Sequence, residues 1–172
     1  MEVHRSATEP WKVTLVDTGA DTQTGGRLKK VIPYAEGETF CMTYGDGLSD
    51  VDISAVIDRH RSSEGLATVT AVQPPGRFGA LEMDGTAVTA FREKPRGDNA
   101  WINGGFFVLE PGVADYIPGD LTKWEEEPMR GLAADGKLAA YQHDGFWQAM
   151  DTLRERNDLE ALWASGEAPW RA

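Results

Sequence analysis

The stretch Thr39 to Asp50, T-F-C-M-T-Y-G-D-G-L-S-D, places the tightest constraint on what this chain can fold into. Phe40, Cys41 and Met42 open an apolar run too short for a helix, and it breaks at Gly45-Asp46-Gly47. That spacing predicts a buried strand ending in a tight turn. The turn carries one carboxylate, Asp46, between two glycines that let the backbone bend and a bulky ligand come close. An α/β protein holds a metal ion over a phosphate in this way. An ordinary turn with a self-bonding Asp accounts for the same three residues equally well, so the rest of the chain has to decide.

The flanking segments predict an α/β chain. Trp11 to Asp17 alternates weakly and reads as a strand, and Thr18 to Gly26 follows as a small-residue loop. Arg27 to Ile32 then reads as a short helix that stops by Pro33. Free N–H groups at its start, with Arg27, suit an anion; a plain glycine-rich connection suits the residues as well. Beyond the central strand, Asp52 caps a helix with Ile53, Val56 and Ile57 at helical spacing, and Leu66 to Val72 is again strand-like. Two strands joined by a helix of that length predict a βαβ unit and a parallel sheet, with ligands gathering at the carboxyl ends of its strands.

Antiparallel pieces come next. Ala80 to Met83 and Thr86 to Phe91 flank an Asp84-Gly85 turn, a hairpin signal. After the charged loop Arg92 to Asn99, Trp101 to Leu109 enters another strand, with Asn103-Gly104-Gly105 at its mouth. Helices are expected near Val113 to Ile117 and from Trp124 to about Ala134, then a short strand from Leu138 to Tyr141. Thr152 with Glu155 three residues on forms a capping-box pattern, so a last helix should run to about Ala164 and stop at Gly166. Asp151 sits at its entrance, where a dipole or capping role is the common one.

Composition limits the partners. With 172 residues and 41% hydrophobic content the chain suits a single domain over 1–172. A formal net charge of −11 argues against nucleic acid or an anionic membrane as the main partner. Cys41 is the lone cysteine, expected as a buried thiol. No apolar segment approaches a membrane span, which with the cysteine count fits a cytoplasmic setting.

Taken together, V-D-T-G with T-G-G-R-L, Y-G-D-G, P-P-G-R-F-G-A-L, E-K-P, W-I-N-G-G-F-F-V and F-W-Q-A-M-D-T-L-R occur in an order that resembles the sugar-nucleotide nucleotidyltransferases. The likeness is greatest to the glucose-1-phosphate cytidylyltransferases and runs from about Met1 to Trp170. It implies a Rossmann-like nucleotidyltransferase fold with a mixed, mostly parallel central sheet flanked by helices. It also implies a reaction in which CTP and α-D-glucose 1-phosphate give CDP-glucose and pyrophosphate, assisted by Mg²⁺. Asp46 and Asp151 would be the metal ligands, and Thr22 and Arg27 would lie along the nucleotide. Gly45 would permit close approach, while Glu93, Lys94, Asn103 and Gly104 would hold the sugar phosphate. Lys94 would also offset charge in the transfer itself. Two acids plus phosphate oxygens and waters suit Mg²⁺.

Family members resemble one another most at a segment made of a first strand, a G-x-G-T-R-type loop and then a Lys-Pro, and these 172 residues contain no such segment. The expectation is therefore a fold with its N-terminal βα portion missing, and transfer that is weak or absent in this chain alone. An open sheet edge should lie beside the Asp46 strand, to be covered by a complementing N-terminal fragment or in a homo-oligomer. A non-catalytic sugar-phosphate, nucleotide-binding or assembly module derived from such an enzyme is the alternative.

Overall fold

The computed structural model describes residues 11–74, 80–92 and 100–171. A four-stranded sheet runs in the order β1 (Phe40–Thr43), β6 (Ile102–Leu109), β3 (Ala67–Val72) and β7 (Leu138–His143). Two smaller ladders join β2 (Gly47–Ser49) to β8 (Trp147–Ala149) and β4 (Ala80–Asp84) to β5 (Ala87–Arg92). Among the described residues four α-helices flank them: α1 (Thr24–Val31), α2 (Ile53–Arg61), α3 (Glu127–Ala134) and α4 (Leu153–Ser165). The α/β class and the mixed sheet are as expected.

The strand directions explain the mixture. β3 pairs parallel with β7 and antiparallel with β6, and β6 is antiparallel to β1. Hence β1, β3 and β7 run one way and β6 alone is reversed. The predicted βαβ unit keeps its two parallel strands, but they are not neighbours, because β6 is inserted between them. Every residue of β3 is buried, as befits a strand flanked on both edges. Its Val69 joins Leu28, Phe107, Leu109, Val113, Ile117, Trp124 and Leu132 in the main core. The Phe107 and Trp124 rings meet edge to face at 5.9 Å, a geometry aromatic quadrupoles favour.

Local signals hold where they are strong. Asp52 accepts the Ala55 N–H at 3.1 Å to cap α2. Thr152 and Glu155 form the reciprocal capping box of α4, and Gly166 ends that helix with φ +78°. At the far end of α2, His60 is 3% exposed. It lies between Thr68 Oγ1 at 2.9 Å and Glu110 Oε1 at 3.1 Å, tying the helix to β3.

Four expectations are corrected. Residues 11–19 form no strand: they have no ladder partner among the described residues, and Trp11, Val13 and Leu15 are exposed. A weak alternation without a neighbouring strand has no backbone hydrogen bonds to hold it. The hairpin turn is Gly85-Thr86, one residue later than predicted, since Asp84 already pairs with Ala87. The strand before Asp46 is not a buried one: β1 is the sheet's edge, its residues are alternately half-buried and exposed, and Cys41 is among the exposed ones. The N–H groups at the start of α1 are not free, since Gln23 donates to Asp120 O and Gly25 and Gly26 donate to Thr122 O. The two glycines serve close packing there, because a Cβ on Gly26 would come within 2.5 Å of Asp120 O.

Candidate functional site

The β2–β8 ladder brings two distant stretches of the chain together. Gly47 pairs with Ala149, and one step outward the Met150 N–H donates to Asp46 O at 2.7 Å. Asp151 is the next residue after Met150. Positions 46 and 151, distant in sequence, therefore leave one end of one ladder side by side, and both residues are exposed. Asp151 enters α4, with its N–H donating to Glu155 Oε2 at 3.1 Å, so the capping box also orients its backbone.

The opposite end of the ladder is clamped. Asp50 Oδ1 accepts the Phe146 N–H at 2.8 Å and lies 2.9 Å from His143 Nε2. Ser49 Oγ donates to Phe146 O at 2.8 Å and accepts the Val51 N–H at 3.1 Å. His143 Nε2 faces both Asp50 and Ser49. A relay of the Ser-His-Asp kind needs the two ring nitrogens to have different partners. This cluster is accordingly a structural tie. Gly145 completes it: a Cβ there would come within 2.6 Å of His143 Cε1 and closer still to Asp50 Oδ1.

The mouth of β6 packs against the same region. The β3–β6 register shifts between Val69 and Ala71, and Gly105 takes φ +81°. The N-G-G sequence thus makes a bulge, and such irregularities re-aim side chains beside them. Gly104 is tight against β3, since a Cβ would meet Thr70 O at 2.9 Å, and its own carbonyl accepts from Trp147 Nε1 at 2.8 Å. Asn103 is half-buried: its Oδ1 accepts the Gly105 N–H at 2.8 Å and its Nδ2 donates to Tyr44 OH at 3.2 Å. Tyr44 continues β1 toward Asp46, its N–H donating to Gly105 O at 2.9 Å. Burial, then the bond to Glu125, push its phenol well above the ordinary value, and Asp46 adds a smaller push in the same direction.

The predicted residues therefore divide. Gly45, Asp46, Asn103, Gly104 and Asp151 come to one region, and a Cβ on Gly45 would meet nothing within 4 Å, so the space beside it is open. Arg27 stands to one side. With Tyr44, Thr43, Met42 and Trp124 it lines a cavity of about 240 Å³, while its guanidinium donates to Thr18 Oγ1 and Ala20 O. Thr22 turns inward: its buried hydroxyl donates to Thr18 O at 2.5 Å and lies 3.2 Å from Lys30 Nζ. Glu93 and Lys94 lie outside the described residues. The sequence reading missed Tyr44, Glu125 and the β2–β8 pairing, which are visible only across long sequence separations.

Among the described residues no group of three or more His, Cys, Asp or Glu side chains could hold a metal ion. Two exposed carboxylates at neighbouring positions nevertheless fit a divalent ion whose remaining ligands are phosphate oxygens and water, the usual manner of Mg²⁺ at nucleotide sites. Among the same residues no helix is long and apolar enough to cross a membrane.

A family model described as "Nucleotidyl transferase" matches residues 15–152. The glucose-1-phosphate cytidylyltransferase of Salmonella typhi is 56% identical over 172 residues, 99% of this chain and 67% of that protein. A probable glucose-1-phosphate cytidylyltransferase of Bacillus subtilis (strain 168) is 42% identical over 164 residues, 95% of this chain and 64% of that protein. The chain thus spans about two thirds of the length of these relatives. Two solved structures share the fold. UDP-glucose pyrophosphorylase complexed with UDP-glucose has a TM-score of 0.62 at 14% identity, covering 88% of this chain and 65% of that one. HddC from Yersinia pseudotuberculosis has a TM-score of 0.59 at 21% identity, covering 81% and 61%. By sequence and by fold, the chain belongs to the nucleotidyl transferase family.

Proposed function

We propose that this chain carries the metal and sugar-phosphate side of a cytidylyltransferase site, at which CTP and α-D-glucose 1-phosphate give CDP-glucose and pyrophosphate. The observation that supports it is the exit of positions 46 and 151 from one end of the β2–β8 ladder, beside the Asn103-Gly104 mouth of β6. A phosphate oxygen of the sugar phosphate forms a bond to the α-phosphorus of CTP, and the bond from that phosphorus to the oxygen bridging the α- and β-phosphates breaks, releasing pyrophosphate. The nucleophile is already ionised near neutral pH, so no general base is needed. Rate comes from alignment and charge neutralisation.

Within that reading Asp46 and Asp151 hold Mg²⁺, which when bound supplies positive charge against the phosphates. Asn103 hydrogen-bonds the sugar phosphate, and the open face of Gly45 admits the phosphates to the carboxylates. Lys94 and Glu93 are assigned to charge neutralisation and to a sugar hydroxyl. Arg27 and Thr22 are assigned to the nucleotide side, Arg27 from its place in the cavity with Tyr44.

A second reading has one observation in its favour. The N–H groups that open α1 are bonded to Asp120 and Thr122 carbonyls, so they offer no cradle for a triphosphate. A module that holds a sugar phosphate without transferring to it fits that fact. Calorimetry with glucose 1-phosphate, CTP and Mg²⁺, beside an assay for CDP-glucose, separates the two readings. The first expects Mg²⁺-dependent heat with CTP and product formation, both lost in Asp46→Asn and Asp151→Asn while the melting temperature holds. Heat with the sugar phosphate alone and no product supports the second, and no heat with any of the three ligands overturns both.

A further inference from the structure

A chain of side-chain hydrogen bonds reaches Asn103 from the start of α1, and none of the assignments above uses it. The Trp124 N–H donates to Thr24 Oγ1 at 2.9 Å, and the Thr24 hydroxyl donates to Glu125 Oε2 at 2.8 Å. The Tyr44 hydroxyl donates to Glu125 Oε1 at 2.6 Å and accepts from Asn103 Nδ2 at 3.2 Å. The Gly105 N–H closes the chain on Asn103 Oδ1 at 2.8 Å.

The direction of every bond is dictated from the two ends. A carboxylate only accepts, so Thr24 and Tyr44 must both donate to Glu125. Tyr44 has one proton and has committed it, so its oxygen can only accept, and the NH₂ face of Asn103 must turn toward it. A backbone N–H only donates, so the other end independently requires the Asn103 carbonyl at Gly105. Flipping the amide would set two oxygens together without a proton and two donors against each other, losing both bonds at once. The packing keeps the ring in place. Tyr44 lies against Gly105, where a Cβ would come within 2.9 Å of its Cδ2, and its ring stands 5.7 Å from that of Phe107.

With one amide hydrogen and one lone pair spent, Asn103 keeps one N–H and one acceptor. A donor beside an acceptor is the complement of a sugar hydroxyl, which has both. We infer that Tyr44 and Glu125 are positioning residues that lock the polarity of the Asn103 amide, so that it presents a donor and an acceptor to the hydroxyl groups of a sugar phosphate. This rests on the sugar-phosphate reading of Asn103 given above.

The test titrates α-D-glucose 1-phosphate and, separately, CTP with Mg²⁺ into the whole chain by calorimetry. Asn103 side-chain NH₂ resonances are followed in parallel by ¹⁵N NMR. Tyr44→Phe should weaken glucose 1-phosphate roughly three- to tenfold, the effect of one net hydrogen bond, and weaken CTP by distinctly less. It should also shift the Asn103 NH₂ resonances and speed their exchange. Glu125→Ala should behave alike, and Glu125→Gln, whose amide oxygen still accepts from Tyr44, should restore both readouts. An equal loss for both ligands, or no rescue by glutamine, overturns the inference in favour of a general packing role. If the unmodified chain gives no heat with glucose 1-phosphate, the sugar-phosphate reading falls. The polarity lock is then decided by the resonances alone, and falls if Tyr44→Phe leaves them where they were.

Discussion

Strand β3, A-T-V-T-A-V, is buried at all six positions between β6 and β7, whereas β1, F-C-M-T, lies at the edge of the same sheet and alternates along its length. Both are short apolar runs, and nothing local separates centre from edge. What separates them is the number of neighbouring strands, and with it the work each strand does. β3 anchors the core through Val69, while β1 leads out through Tyr44 to Asp46. Stability should therefore concentrate around β3 and its β6 partner, and the edge should tolerate changes that the centre does not.

The sharpest way to break that contrast is Phe107→Ala. Phe107 is 2% exposed and packs on Trp124 and Tyr44, so its truncation should cost about 3–5 kcal/mol in urea unfolding. A cost near that of a surface change would place the core elsewhere.

The seam between the two regions has a smaller, pH-dependent effect. Glu110 follows β6, and its Oε1 accepts from Thr39 at 2.7 Å, just before β1, and lies 3.1 Å from His60 Nε2 beneath β3. The Thr39 bond first, then His60, hold its carboxyl below the ordinary value of 4.5 against some burial. A depressed carboxylate stabilises the fold above its unfolded pKa, and the contribution is lost as pH falls through the folded pKa. Glu110→Gln should therefore lower the urea midpoint at neutral pH, with the gap to the unmodified protein closing below about pH 4.5. A gap that persists undiminished in acid would assign the loss to packing instead.

At the edge itself, Cys41→Ser should be the mildest of the three. The side chain is exposed, so the change should stay within about 0.5 kcal/mol, measured by the same unfolding curves. A loss of several times that size would mean the outer side of β1 is covered in solution.

The same division governs how much was legible in the chain. Signals that a few adjacent residues carry were read correctly: the Asp52 cap, the Thr152–Glu155 box, the Gly166 stop and the strand before Asp46. Features set by distant partners were not. β2 and β8 are three residues each and pair across about a hundred positions, a contact that no local periodicity encodes. Among the described residues, 11–17 have strand-like alternation without a ladder, and Cys41 has an apolar neighbourhood without a second flanking strand. For the site, the resemblance brought residues 46, 103, 104 and 151 into consideration, and the fold supplies the reason they sit together. It also shows why Thr22 is less open than its motif suggested, since its hydroxyl is held by the Thr18 carbonyl.

Gly145 touches none of the residues assigned to a ligand, yet a Cβ there would have to displace the Asp50 carboxylate and the His143 ring. The ladder is a pair of tongs whose hinge is filled at the back by His143, Asp50 and Ser49 and whose tips are residues 46 and 151. A methyl group at 145 would therefore press on the tie at that back end, the Asp50 carboxylate and the His143 ring, and not on residue 46 or 151.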